Sequence, residues 1–432
     1  MADEASTPRI LIVGAGIFGT STAYHLSLSH AAPGKITVLD RAAYPAHHGA
    51  SADINKIVRA DYSSRFYMDL GFEALEAWKS WPVIQKCFHR SGWIALQSGR
   101  SDVMQRIREN FRARGSDGTS DVPVDDELRA KWKGLLGDTD FEDVASGYWN
   151  PDAGWADAAD AVKSMLDDAV GRGVKYEEGD VEELLLGSSG IRGVKTKDGK
   201  VYEAEKILLA SGAWTSQLLS PVEDQLGIEE NDRVEKQVTA AGVSVVHYRL
   251  DDDEYERLRD MPIVVYREKG EIIPPPAQTR LLKFTNPLSV VNTITTPSGH
   301  RISVPPDRAQ AIVSEKYKQM ALESSVKIMM PAYVKRPADY WRMCWDTISP
   351  SQDQLLTQHP HAQLSNLYLA VGGSFHSWKF LPTIGKYIIN VLNGESNGIE
   401  KDEHWKWKTE APQGRGAHES VVPRLELRDL EG

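Results

Sequence analysis

The sequence predicts an α/β chain, α+β overall, in which a Rossmann-like domain on a parallel sheet is joined to a second, mostly antiparallel-sheet domain. Three observations carry this. The chain begins with a β-branched apolar run, a glycine turn and a helical pattern, followed by a second apolar run that ends in an acid. Residues 222–340 alternate in polarity and are rich in proline, as in antiparallel strands joined by turns. Short apolar runs at 206–210 and 368–371 then offer strands that can return to the first sheet.

In chain order, 9–13 reads as a strand, Gly14-Ala15-Gly16-Ile17-Phe18-Gly19 as a tight turn, and 20–28 as a helix with Ala23, Leu26 and Leu28 at helical spacing. A second strand at 35–39 ends at Asp40, about twenty residues past the last glycine, which completes a βαβ unit. Helical periodicity follows at 66–81, then a strand at 92–96, then a polar, charged stretch at 98–140 assigned to the second domain. Residues 157–171 form an amphipathic helix, and 174–178, 181–186 and 194–196 read as a meander broken by glycine turns. The strand at 206–210 exits at Ser211-Gly212-Ala213-Trp214, and the strand at 368–371 precedes Gly372-Gly373 and a helix at 383–392. The first domain is thus discontinuous, from 1–90, 150–220 and 340–400; the second comprises 91–149 and 221–339; and 401–432 is expected to be a surface tail.

Composition narrows the function classes. A hydrophobic fraction of 41% and a charged fraction of 26% are those of a globular protein, and no apolar run reaches the roughly 20 residues that span a bilayer. With no signal-peptide core at the start and no SKL-type end, a cytoplasmic location is expected. Two cysteines suit a reducing compartment and exclude a disulfide framework or a multi-cysteine zinc site; no metal is expected. A net charge of -11 opposes broad binding to nucleic acid, so the expected partner is a small molecule and the expected state a monomer.

The glycines have separate physical tasks. Gly14 allows the tight turn, Gly16 lets a pyrophosphate approach the backbone, and Gly19 lets helix pack on strand. Amide N–H groups at the helix start face phosphate charge, and Asp40 is placed to accept from ribose hydroxyls. FAD and NAD present the same ADP half to this motif, so the motif alone leaves them open.

Four separated segments decide further. GAGIFG, then Ala52-Asp53-Ile54-Asn55-Lys56-Ile57-Val58-Arg59, then Arg342-Met343-Cys344-Trp345, then Gly373-Ser374-Phe375-His376-Ser377-Trp378-Lys379-Phe380 together resemble the covalent-flavin amine oxidase family, which includes monomeric sarcosine oxidase and fructosyl amino acid, pipecolate and saccharopine oxidases. The resemblance implies FAD held by Gly14, Gly16, Ile17, Phe18, Gly19, Asp40, Gly373 and Lys379, with Cys344 as its covalent attachment; the alternative for Cys344 is a small buried hydrophobe. It implies catalytic roles for Lys283 and Lys56, because a fixed cation stabilises charge developing on oxygen, the alternative being a strand lysine that snorkels or an ordinary ion pair. It implies that Arg59 and Lys379 hold a substrate carboxylate and that His376 shapes the pocket or contacts the flavin, against surface ion pairing and a purely structural histidine. Fructosyl amino acid oxidases share the DxNKI core but generally lack the arginine that follows here. Arg59 therefore directs the expectation to secondary-amine amino acids: N-alkyl types such as saccharopine or sarcosine, or cyclic types such as pipecolate. O2 would be the acceptor, with H2O2 and an imine as products. The rivals are a fructosyl amino acid or secondary-metabolite amine oxidase, a flavin dehydrogenase, and a non-catalytic protein that keeps the fold.

Overall fold

A computed structural model describes residues 9–99, 101–115, 117–267, 269–410 and 424–431. The first strand, Ile10–Val13, is buried at all four positions and pairs in parallel with Ile36–Asp40 on one side and Lys206–Leu209 on the other. Burial on both faces is why these strands read as continuous apolar runs. The full sheet runs Leu355–Gln358, Leu367–Val371, Lys206–Leu209, Ile10–Val13, Ile36–Asp40, Lys175–Glu178, and only Leu355–Gln358 is antiparallel to its neighbour. Connections leave the central strand in both directions, so its carboxyl end is the switch point where such sheets bind ligands. The helix Ile17–Ser29 covers one face with Ala23 and Leu26, packed between Ala158–Gly171 and Ile384–Asn393. A Cβ on Gly385 would stand 2.2 Å from the Ser21 carbonyl oxygen, so glycine permits that close helix contact.

A second sheet runs Tyr340–Ile348, Thr239–Arg249, Leu281–Val291, Gly270–Ile273, Ile263–Tyr266, Trp93–Ser98, Val144–Asn150, Ser120–Asp121, with Arg424–Glu426 added beside Leu281–Val291. It is antiparallel except where Ile263–Tyr266 meets Trp93–Ser98 and where Arg424–Glu426 joins. A small three-stranded sheet of Asn55–Val58, Gly154–Asp157 and Phe88–His89 carries Lys56. Among the described residues no helix is long and apolar enough to cross a membrane.

Two expectations are corrected. The meander consists of Val181–Gly187, Gly190–Thr196 and Val201–Glu203, whereas Lys175–Glu178 joins the parallel sheet; short strands look alike in sequence until a partner edge is known. The polar, charged stretch at 98–140 holds helices Val103–Ala113 and Asp126–Gly134 and the edge strand Ser120–Asp121 of the second sheet, with Ile107, Phe111 and Leu128 buried. The segment from 401 onwards is not simply a surface tail. Trp405 is buried and its Nε1–H donates to Gln354 Oε1 at 3.0 Å; Trp407 packs against His359; Leu427 and Leu430 are buried beyond the added strand. Charged neighbours hide these anchors in a composition reading, yet truncating a buried tryptophan costs about 3 to 5 kcal/mol. Residues 411–423 of that stretch lie outside the described residues.

Candidate active site

Every site residue expected from the sequence except Gly19 borders a single cleft of about 1020 Å³. At one end lies the glycine turn. Gly14 has φ +106°, and a Cβ there would sit 2.4 Å from the Ala210 carbonyl oxygen. A Cβ on Gly19 would stand 1.8 Å from the Gly14 carbonyl oxygen, which places Gly19 behind the turn as the helix-on-strand contact. Gly16 caps the helix, Ile17 N–H donates to Ser51 Oγ at 3.0 Å, and Phe18 is buried beside it. Asp40 Oδ2 accepts from Ala15 N–H at 2.6 Å and Oδ1 from Arg41 N–H at 2.7 Å; burial raises its pKa despite these bonds. A bare backbone turn, a helix N-terminus and an acid at the neighbouring strand end fit the pyrophosphate and ribose of a dinucleotide.

The middle of the cleft holds a buried ion cluster centred on a residue the sequence reading passed over. Asp53 receives Lys283 Nζ at 2.6 Å and lies 3.6 Å from Lys56 Nζ, 3.8 Å from His247 Nε2 and 3.9 Å from Arg342 Nη1. Burial alone would raise its pKa, but Lys283, then His247, Lys56 and Arg342, hold it well below the usual carboxylate range. Lys283 also donates to the Asn55 carbonyl oxygen at 2.8 Å and is 2% exposed, so it does not snorkel to solvent. Burial lowers its pKa, and Asp53 opposes that shift. Lys56 Nζ lies 3.6 Å from Cys344 Sγ. Cys344, on Tyr340–Ile348, faces the cleft opposite Val243. Cys87, by contrast, is in the core, its thiol pushed up to about 11 by burial.

At the far end Arg59 is sandwiched with its guanidinium 4.7 Å from the Tyr62 ring and 4.8 Å from Trp93, and it donates to the Asp61 carbonyl oxygen. Asp61 is itself held by Tyr148 and Asn150. Lys379 Nζ donates to Tyr62 Oη at 3.0 Å and to the His376 carbonyl oxygen at 2.5 Å. Burial, then the charge of Arg59, lowers its pKa well below the usual ammonium value. His376 lies between Gln352 O at 2.8 Å and Tyr62 Oη at 3.2 Å; burial, then Lys379, lowers its pKa to about 3, so it is a neutral tether near neutral pH.

Gly373 completes the wall. A Cβ there would lie 2.5 Å from Asp346 Oδ2, and the same oxygen accepts from Phe375 N–H at 2.9 Å. Ser374 and Phe375 adopt left-handed backbone at φ +48° and +59°, a conformation held by bonds such as Ser374 N–H to the Thr347 carbonyl at 2.8 Å. Asp53, Asp61, His247, Arg342 and Asp346 were not singled out from sequence. Asp53 lay inside the quoted DINK segment, but apart from Lys56 its partners come from strands more than 190 residues away.

The sequence matches the family described as DAO, FAD dependent oxidoreductase, over residues 9–391. It is 26% identical to the L-saccharopine oxidase of Schizosaccharomyces pombe over 98% of this chain and 98% of that protein. It is 24% identical to monomeric sarcosine oxidase of a Bacillus species over 59% and 61% of the two chains. Among solved structures it resembles the fructosyl amine:oxygen oxidoreductase Amadoriase I of Aspergillus fumigatus, with TM-score 0.82, 26% identity and coverage of 98% and 96% of the two chains. A family match spanning most of the chain, on a fold whose glycine turn opens into this cleft, makes the protein a member of the FAD dependent oxidoreductase family.

Proposed function

We propose that the protein is an FAD-dependent oxidase of the C–N bond of a secondary-amine amino acid, such as an N-alkyl amino acid or a cyclic imino acid. The observation that carries this reading is the convergence, in one cleft, of the dinucleotide cradle, the Cys344–Lys56–Asp53–Lys283 cluster and the Arg59–Lys379 pair. In the net reaction the amine loses two electrons and two protons to become an imine, and O2 gains them to become H2O2. When bound, FAD supplies the two-electron acceptor for the first half and the donor for the second.

This chain's residues do the rest. Arg59, fixed between two rings, offers a pre-oriented fork to the substrate carboxylate, and Lys379 adds a second donor beside it. Together they orient the α-carbon towards the Cys344 side of the cleft, which is catalysis by positioning. Lys283, held by Asp53 and the Asn55 carbonyl, places a fixed cation where charge develops on oxygen. Lys56, beside Cys344, is the second such cation, and Cys344 is the attachment point for the flavin. His376 is a neutral brace for Tyr62 and therefore for Lys379. The division into a flavin domain and a substrate-covering domain, a monomeric state and a cytoplasmic location complete the proposal; two free cysteines are in keeping with a reducing compartment.

The test measures peroxide release by the flavin-loaded enzyme with a panel of secondary amines, each paired with its methyl ester and its decarboxylated analogue. Free acids should be turned over and their partners should fail. Arg59→Ala should lower kcat/KM for the acids by roughly one to two decades, the worth of about 1.5 to 3 kcal/mol for a charge-assisted contact. Equal turnover of an amine without a carboxylate would overturn the clamp and with it the substrate class.

A further inference from the structure

Glu271, one of the carboxylates that border the cleft, has no role so far. Glu271 lies on the strand Gly270–Ile273, opposite Val265 on one side and Thr285 on the other, while Ile273 is opposite Lys283. Cross-strand partners share a face of a sheet, and residues two apart on one strand do too. Glu271, Ile273, Thr285 and Lys283 accordingly all border the cleft.

Four other acids of the site are engaged by their own chain. Asp53 holds Lys283, Asp61 holds Tyr148 and Asn150, Asp346 holds two backbone N–H groups, and Asp40 holds the glycine turn. Glu271 has no salt-bridge partner among the described residues. Its charge still acts on the ammonium groups of Lys379 and Lys56, which border the same cleft. A ligand whose carboxylate rests on Arg59 and Lys379 carries its remaining atoms into the cleft that Glu271 also borders. In a partly dehydrated cleft, a carboxylate without a protein partner favours a cation there more strongly than it would in water.

We propose that Glu271 binds an ammonium group of the substrate, so that the cleft selects a zwitterion: carboxylate at Arg59 and Lys379, cationic nitrogen at Glu271. The proposal rests on the clamp reading above. The nitrogen has two sources, the reacting amine before it gives up its proton or a second amine further along the substrate, and both present the same alkylammonium chemistry.

The test is equilibrium binding to the flavin-loaded protein, followed by the absorbance change of the flavin, with three non-reacting carboxylates. One is (methylthio)acetate, with sulfur in place of nitrogen; one is N,N-dimethylglycine, with a cation at the reacting position; one is S-(2-aminoethyl)thioglycolate, with a cation further out. In the parent protein at least one ammonium ligand should bind about 10- to 100-fold more tightly than the thioether acid, and Glu271→Gln should abolish that preference while changing thioether binding less than about twofold. Glu271→Asp should keep part of the preference, which separates loss of charge from loss of folding. Whichever ammonium ligand is affected identifies the source. An unchanged preference in Glu271→Gln, or an equal loss for all three ligands, would overturn the proposal. Arg59→Ala provides the independent control: if it fails to weaken the thioether acid, the clamp reading falls, whereas a weakened thioether with no Glu271 effect removes only this inference.

Discussion

Replacing Asp53 with asparagine removes a single charge and little volume, and it tests whether the buried cluster works as a unit. The carboxylate lies 2.6 Å from Lys283 Nζ, where a pair in an effective dielectric of about 20 attracts by about 6 kcal/mol. Burying the two ions offsets much of that, and removing one partner of such a pair typically costs about 3 to 5 kcal/mol, because the other charge is stranded. Lys56 and Arg342, at 3.6 and 3.9 Å, add cations that lose the same counter-charge, so the upper part of that range is expected. The amide oxygen introduced by Asp53→Asn would still accept the Ile54 N–H now bonded to Oδ1 at 2.7 Å, but its NH2 would then stand where Oδ2 accepts from Lys283 Nζ at 2.6 Å, so that charge-assisted hydrogen bond is lost together with the charge. Urea unfolding of Asp53→Asn, Lys283→Met and the double variant forms a cycle. The double variant should be less destabilised than the sum of the singles by about 1 to 3 kcal/mol, since removing both charges strands neither. The pH dependence has a defined sign. Asp53 is depressed in the fold, so its contribution is complete above the unfolded carboxylate pKa of about 3.9 and is lost as pH falls through its folded value; the gap between parent and Asp53→Asn should be constant near neutrality and narrow only below about pH 4. Strict additivity of the two single variants would refute the shared cluster.

Three further outcomes follow from the same geometry. Flavin should remain with the polypeptide through acid precipitation and be released from Cys344→Ser; full release from the parent protein would remove the covalent assignment. Lys283→Met should slow reoxidation of the reduced enzyme by oxygen by roughly two to three decades, about 3 to 4 kcal/mol, while leaving anaerobic reduction by substrate much less affected, as stopped-flow would separate. Because the pKa of Lys379 is lowered in the free cleft and an incoming carboxylate raises it, binding of an acid that lacks an amine should take up a proton. Its affinity should fall about tenfold per pH unit as pH rises between the free and bound values, and level off below the free value; calorimetry in buffers of different ionisation heat reads the proton, and Lys379→Met should abolish it.

The nucleotide half was legible because its requirements are local. Gly14, Gly16, Gly19 and Asp40 form a short unit in which turn, close approach and acid are set by spacing, and they meet at one strand end as expected. Lys56, Arg59, Cys344 and Lys379 were found through motifs, and the fold brings them to the same cleft. The anchored end of the chain was not legible, since Trp405 and Leu427 sit among charged residues and their partners, such as Gln354 and Leu281–Val291, are distant in sequence. Nor was Asp53, which as a single acid next to a lysine motif carries no mark of burial. By itself, then, the sequence determined the βαβ unit and the family and pointed to twelve of the residues that border the cleft, because local backbone geometry and short motifs encode these. The tertiary structure alone decided which charges share a counter-ion and which do not: pairing of Asp53 with Lys283, sequestration of Asp61 at Tyr148 and Asn150, and an open Glu271 depend on strand register and burial, which set distance and dielectric and have no signature in composition.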